Sequence, residues 1–253
     1  MATEAIVTPI RPIHRPVNRT LERVFYSGMA ILLCVCVYIG FAPTYFRAGL
    51  LRAPLPGKVF HVHGAVFTLW MLVFLVQSAL ISAHRVKWHR SLGTVFFCLP
   101  PIMIVLGVIA GIDALHLGIR IGPLDPAVSF AIPMMSIVGF VPVIYASWRA
   151  RRRPDAHKRL ILIATSGLVA AAFGRFPWAR IGLPPAAGAV TGLGILCLMI
   201  LAYDLISLRR IHRSNMWAVP LTFASVALAV PIGMTSAWHA FAALLDRSLG
   251  AYF

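Results

Sequence analysis

Long apolar runs alternate with short basic segments along this chain, and the alternation decides most of what its sequence can say. A helix that crosses a bilayer needs about 20 mainly apolar residues. Seven windows meet that need: 24–46, 59–83, 92–112, 128–148, 159–176, 187–207 and 217–240. The fifth is the shortest and is bounded by Pro177. At about 1.5 Å per residue it still reaches roughly 27 Å, enough for an apolar core of about 30 Å with its polar ends at the interfaces. Nothing alternates over about ten residues as the strands of a membrane barrel do. The pattern therefore predicts an all-α, polytopic integral membrane bundle of seven transmembrane helices. It divides into a basic cytoplasmic tail (1–23), the seven-helix domain (24–245) and a short outer carboxyl tail (246–253).

Composition agrees. Of 253 residues, 60% are hydrophobic and only 12% charged, with a formal net charge of +16. Soluble domains carry about 25% charged residues and disordered chains are poor in apolar ones, so both classes are excluded. The arginines sit between apolar runs rather than on one patch, which argues against a nucleic-acid partner. The first run follows Arg11, Arg15, Arg19 and Arg23 and continues to Arg47 with no small-residue cleavage site, so it reads as an uncleaved span rather than a signal peptide. Cys34, Cys36, Cys98 and Cys197 all lie in apolar runs and indicate neither a disulfide framework nor a zinc site.

Lysine and arginine are distributed unequally between the two sets of connecting segments, 16 against 7. Basic residues concentrate on the cytoplasmic side. The amino terminus is thus expected in the cytoplasm, the carboxyl terminus outside, and the protein in a bacterial inner membrane. The run Trp148-Arg-Ala-Arg-Arg-Arg153 reads as a stop-transfer signal, and it also suits anionic lipid headgroups at the cytoplasmic face. Gly188 with Gly192, and Gly167 with Ala171, are small-residue steps that permit close helix contact.

Nine histidines against seven carboxylates is the compositional oddity. On the expected orientation His61, His63, His116 and His239 form an outer tier, and His84, His89, His157 and His212 an inner one. His63, Trp70, Gln77 and His84 are spaced by seven, which on a helix makes one polar stripe that should face the bundle interior. Four readings stay open for the imidazoles: interfacial capping, ligation of haem b by facing pairs, a redox-silent metal site, and a transport or proton relay. For haem, the candidate pairs are His63 with His239, and His84 or His89 with His157. Asp204 reads as the one carboxylate inside a span, either paired with Arg209 and Arg210 or acting as a proton acceptor with His157 or His212. Arg175 either snorkels to headgroups or holds an anionic group such as a haem propionate.

His63-Gly64, Gln77, His89-Arg90-Ser-Leu-Gly93, His157-Lys-Arg159 and Arg175 together resemble a large family of bacterial predicted membrane proteins grouped as a domain of unknown function. The resemblance covers roughly residues 59–176. It departs at Leu160 and Ile163, where the family carries an aromatic and a second arginine. Asp204 to Trp217 and Ala237-Trp-His-Ala-Phe241 look like a related set of bacterial proteins. Cytochrome b561-like electron carriers and oxidase assembly proteins are more distant likenesses, resting on histidines at helix ends.

A retinal protein needs a lysine in its last span, whereas Lys58, Lys87 and Lys158 lie between the runs. Nucleophile-elbow, Walker and HExxH motifs are absent. The sequence thus leads to a haem- or quinone-linked electron-transfer component with a redox or membrane-protein partner. Its expected cofactor residues are His63, His84, His89, His157, His239 and Arg175, with Gln77, Trp70 and Asp204 beside them. The alternative is an assembly factor or small-solute transporter with structural histidines.

Overall fold

The computed structural model describes residues 18–47, 57–249 and 252; His14, Arg11 and Arg15 of the tail lie outside the described residues. Ten α-helices follow one another among them: α1 (Arg19–Phe41), α2 (Lys58–Ser82), α3 (Val86–Phe96), α4 (Leu99–His116), α5 (Pro126–Arg149), α6 (Pro154–Phe173), α7 (Pro185–Leu208), α8 (Arg213–Ala227), α9 (Ala229–Gly233) and α10 (Ser236–Leu249). No strand occurs among the described residues. Six segments are long and apolar enough to cross a membrane: α1 with the π turn that prolongs it to Phe46, α2, α3 with α4, α5, α6 and α7. The chain is an all-α helical bundle with the marks of a multi-pass membrane protein. Its outer surface is apolar, with Leu198 67% and Ile206 65% exposed, as lipid-facing side chains would be.

The helices start and stop for local reasons. Asn18 caps α1, its side chain accepting from the amides of Thr20 and Leu21 at 3.0 and 3.1 Å. Asp125 caps α5 in the same way through Ala127 and Val128. The third apolar window is broken at Phe97 and Cys98, because Pro100 and Pro101 lack the N–H groups that would continue α3. The seventh window is not one rod. Pro231 cannot donate to the carbonyl of Ala227 and its ring crowds it, so α8 ends there. The Thr235 hydroxyl then accepts from the Trp238 amide at 3.3 Å and opens α10.

Several helices outrun their apolar windows by a turn, since polar residues at an interface still satisfy helical hydrogen bonds. α1 begins at Arg19 and takes in Glu22; α4 takes in Asp113, which is 7% exposed; α6 takes in Asp155. Asp204 is consequently not the only carboxylate within a long helix.

α6 is the central helix: 61% of its apolar window is buried, against 17% for α2 at the periphery. It packs on α1, α5, α7 and α8 around a core of Met29, Leu33, Leu162, Leu193, Leu196 and Ile200. Close approach depends on glycine. A Cβ at Gly40 would strike the backbone of Ala172, so α1 and α6 touch there, and one at Gly167 would strike Thr222 of α8. Gly192 makes the expected helix contact, admitting the Phe173 ring of α6 against α7, whereas Gly188 makes room for Trp178 of the α6–α7 connection.

Two ends of the bundle can be told apart by cross-links. At the near end the start of α1 meets the end of α2 (Ser27 to Ser82, 2.7 Å) and the start of α6 (Glu22 to Lys158, 2.9 Å). At the far end α10 lies across the α4–α5 connection, through Asp246 to His116 at 2.8 Å and the Trp238 indole N–H donated to the Ala127 carbonyl at 2.8 Å.

Candidate functional site: two histidine tiers and a buried ion pair

At the near end, α3 and the first turns of α6 bring His89 and His157 together, close enough for the charge on one ring to act on the other. Both are half-buried. His157 Nδ1 lies 2.9 Å from the Ser147 carbonyl and 3.1 Å from its hydroxyl. A carbonyl only accepts, so the His157 proton sits on Nδ1 and its Nε2 carries a free lone pair. Gln77 of α2 fixes His89 the other way. With its amide turned so that each end meets a complementary group, the Gln77 nitrogen donates to the His89 carbonyl at 3.0 Å and to Nδ1 at 2.5 Å, while the oxygen accepts from the Gly93 amide at 3.1 Å. His89 therefore holds its proton on Nε2. In these tautomers His89 carries a proton, and His157 a lone pair, on Nε2.

A histidine ligating a metal through Nε2 ordinarily donates Nδ1–H to an acceptor. His157 has that arrangement. His89 has the opposite tautomer and would need the Gln77 amide to turn over before binding iron, so the pair fits a haem only by half. No cluster of three or more metal-ligating side chains occurs among the described residues.

His84 does not continue the stripe. α2 ends at Ser82, and His84 stands exposed in a left-handed turn at φ 59°, which no helical register can extend through. The stripe is real from His63 through Trp70, which is 3% exposed, to Gln77. It faces inward because lipid offers these groups nothing.

Asp204 is fully buried, and its partner differs from the local one expected. Arg209 and Arg210 are exposed. Arg159, 2% exposed, reaches across from α6 and places Nε and a terminal nitrogen 2.8 and 2.7 Å from Asp204 Oδ1. The other oxygen accepts from the His212 backbone amide at 2.8 Å and from the Asn215 side-chain amide at 2.7 Å. Charge buried in a bundle takes a charged partner from any helix that faces it, and Arg209 leaves α7 in a left-handed turn. His212 caps α8, its Nδ1 accepting from the Ser214 amide at 3.1 Å. Burial, and next to it the Arg159 guanidinium, push the His212 imidazole below the usual histidine range.

At the far end, His63 and Arg175 lie within electrostatic reach of each other. His63 stacks on Phe67 with ring centroids 4.1 Å apart, and its Nδ1 is buried without a hydrogen-bond partner, as is the Trp70 indole nitrogen. Arg175 donates to the Ala171 carbonyl at 2.7 Å and lies 4.3 Å over the Phe41 ring. Gly64 lets Tyr45 close over this corner, with the tyrosine hydroxyl donating to the His61 carbonyl at 3.2 Å. His239 is not brought to His63. It is exposed on α10, 3.9 Å from Asp125, because the broken seventh window turns it toward the start of α5.

Asn215, Ser147 and Tyr45 were not singled out by the sequence, and Arg159 entered only through the resemblance, not as the partner of Asp204. Arg159 alone left a usable signal, an arginine entering an apolar run that faces a run with a lone acid. Compared with protein-family models, with curated proteins and with solved structures, the chain has no match.

Proposed function

We propose that this chain is a bacterial inner-membrane protein that works as a quinone-linked electron-transfer component. Its α8–α10 segment makes a seventh crossing, its amino terminus lies in the cytoplasm, and anionic lipids cover that face. What supports the reading is the hydrogen bonding at the two Nδ1 atoms, to the Ser147 carbonyl at His157 and to the turned Gln77 amide at His89, which assigns the rings opposite tautomers. One Nε2–H can donate to a quinone carbonyl oxygen, and the neighbouring Nε2 lone pair can accept from a quinol hydroxyl. Reduction of a quinone to a quinol takes up two protons with two electrons: His89 Nε2–H passes one, the second enters from the water at that end of the bundle, and the His157 Nε2 lone pair accepts the hydrogen bond of the quinol hydroxyl so formed. The electrons pass to or from a redox or membrane-protein partner. At the far end Arg175 with His63 offers a second pair of donors for a quinone oxygen.

Haem b is the second reading, favoured by His157, whose Nδ1 is already held by a carbonyl acceptor. A transporter working through Asp204 has less support, because that carboxylate is buried and all its lone-pair directions are engaged.

Purified protein in lipid nanodiscs decides between these. The quinone reading expects about one quinone per chain on solvent extraction, lost from His89→Ala and His157→Ala while the fold survives. A Soret band that shifts on reduction would give the site to haem instead. A colourless protein that retains no quinone overturns both.

A further inference from the structure

The break between α3 and α4 leaves an apolar groove of about 480 Å³ against α5, walled by Phe97, Cys98, Pro101, Ile104, Tyr145 and Trp148. It opens sideways, toward the surface that faces lipid: Tyr145 is 60% and Ile102, beside Pro101, 44% exposed. The two proline rings hold it open, since a continuous helix would carry its side chains across the gap. Its near-end wall is a stack. Phe97 lies 4.7 Å from Trp148, and the Arg151 guanidinium lies 4.4 Å over the same indole while donating to the Trp148 carbonyl at 3.2 Å. Arg149, Arg152 and Arg153 follow on the same short stretch, and all four arginines are exposed. Among the described residues no acidic side chain pairs with Arg149, Arg151, Arg152 or Arg153 at salt-bridge distance.

We propose that this groove is a binding site for one anionic diacylphospholipid. An acyl chain lies along Ile104, Pro101 and Tyr145, and the phosphate sits at the mouth against Arg151 and Arg152. Apolar length beneath and unpaired positive charge above is the complement of such a lipid, whereas a zwitterionic headgroup would bring its own cation to the arginines. Arg151 is suited to the phosphate because stacking on Trp148 holds its planar fork in place and leaves most of its donors free. The inference rests on the membrane part of the function proposed above and on nothing concerning quinone or haem.

The test uses full-length protein in bilayers containing equal fractions of phosphatidylglycerol and phosphatidylcholine, with brominated chains on one lipid at a time. Bromine quenches nearby tryptophan, and the Trp148 contribution is isolated by subtracting a Trp148→Phe variant. The site predicts that brominated phosphatidylglycerol quenches Trp148 as if enriched roughly fivefold over phosphatidylcholine, the enrichment falling toward one in Arg151→Ala/Arg152→Ala. Equal quenching by the two lipids, or a preference untouched by the double substitution, overturns the site and leaves the membrane reading standing. No quenching by either lipid overturns both. Cross-linking of two chains through Cys98, with no lipid preference, would give the groove to a second copy and overturn the lipid.

Discussion

Arg159 and Asp204 meet inside the bundle with two guanidinium nitrogens on a single carboxylate oxygen, at 2.7 and 2.8 Å. The second oxygen is left for the α8 amide of His212 and the Asn215 side chain. One ion pair thus joins three helices, α6, α7 and α8, near one end of the bundle. Removing one partner strands a charge that no water can reach. Arg159→Leu should lower stability by about 3–5 kcal/mol, and Arg159→Met with Asp204→Leu should recover much of that loss. Arg209→Ala and Arg210→Ala should each change it by less than about 0.5 kcal/mol. Unfolding in mixed micelles measures all four, and a large effect at Arg209 would contradict the pairing.

His212 ties the same corner to pH. Its imidazole is held neutral below the ordinary histidine range by burial and by Arg159, and its Nδ1 lone pair caps α8. The unfolded chain therefore binds the proton more readily than the folded one. Stability from this group is complete above the ordinary histidine value and is lost as the pH falls through it. Thermal unfolding between pH 8 and 5 should show that loss in the native chain. It should be weaker in His212→Ser, whose hydroxyl caps the helix without titrating.

The imidazoles of His89 and His157 should differ in tautomer. Nitrogen NMR of histidine-labelled protein at neutral pH is expected to show the proton on Nε2 for His89 and on Nδ1 for His157. Gln77→Leu should abolish the preference at His89, leave His157 unchanged, and lower stability by about 1–3 kcal/mol through the unpaired groups it leaves. Matching tautomers in the native protein would remove the donor–acceptor pair on which quinone binding is argued.

Gly64 admits the Tyr45 ring, which a Cβ would meet at 2.8 Å. Gly64→Ala should cost about 1–3 kcal/mol, the usual effect of overpacking. Tyr45→Ala in the same chain should relieve the clash, so the double variant should lose less than the two single variants added together. Strict additivity would show that the two residues do not touch.

Hydropathy made the helices legible, because a bilayer core demands long apolar runs with every backbone group satisfied internally. Five of the seven windows coincide with single long helices and the third with α3 and α4 in succession, and the inward turn of Trp70 and Gln77 follows from their heptad spacing. The seventh window shows the limit. Its apolar content is high enough, yet Pro231 and the Thr235 cap divide it, and hydropathy does not register where a proline removes a hydrogen bond.

What the sequence determined by itself was the class of molecule, an apolar helical bundle with basic connections and histidines near helix ends. Those properties depend on each segment alone. Only the tertiary structure decided which groups meet: Asp204 with Arg159 rather than its sequence neighbours, and His89 with Gln77 and beside His157. The reason is that a buried charge or imidazole is stabilised by whatever faces it across the bundle, and helix packing, not separation along the chain, sets what that is.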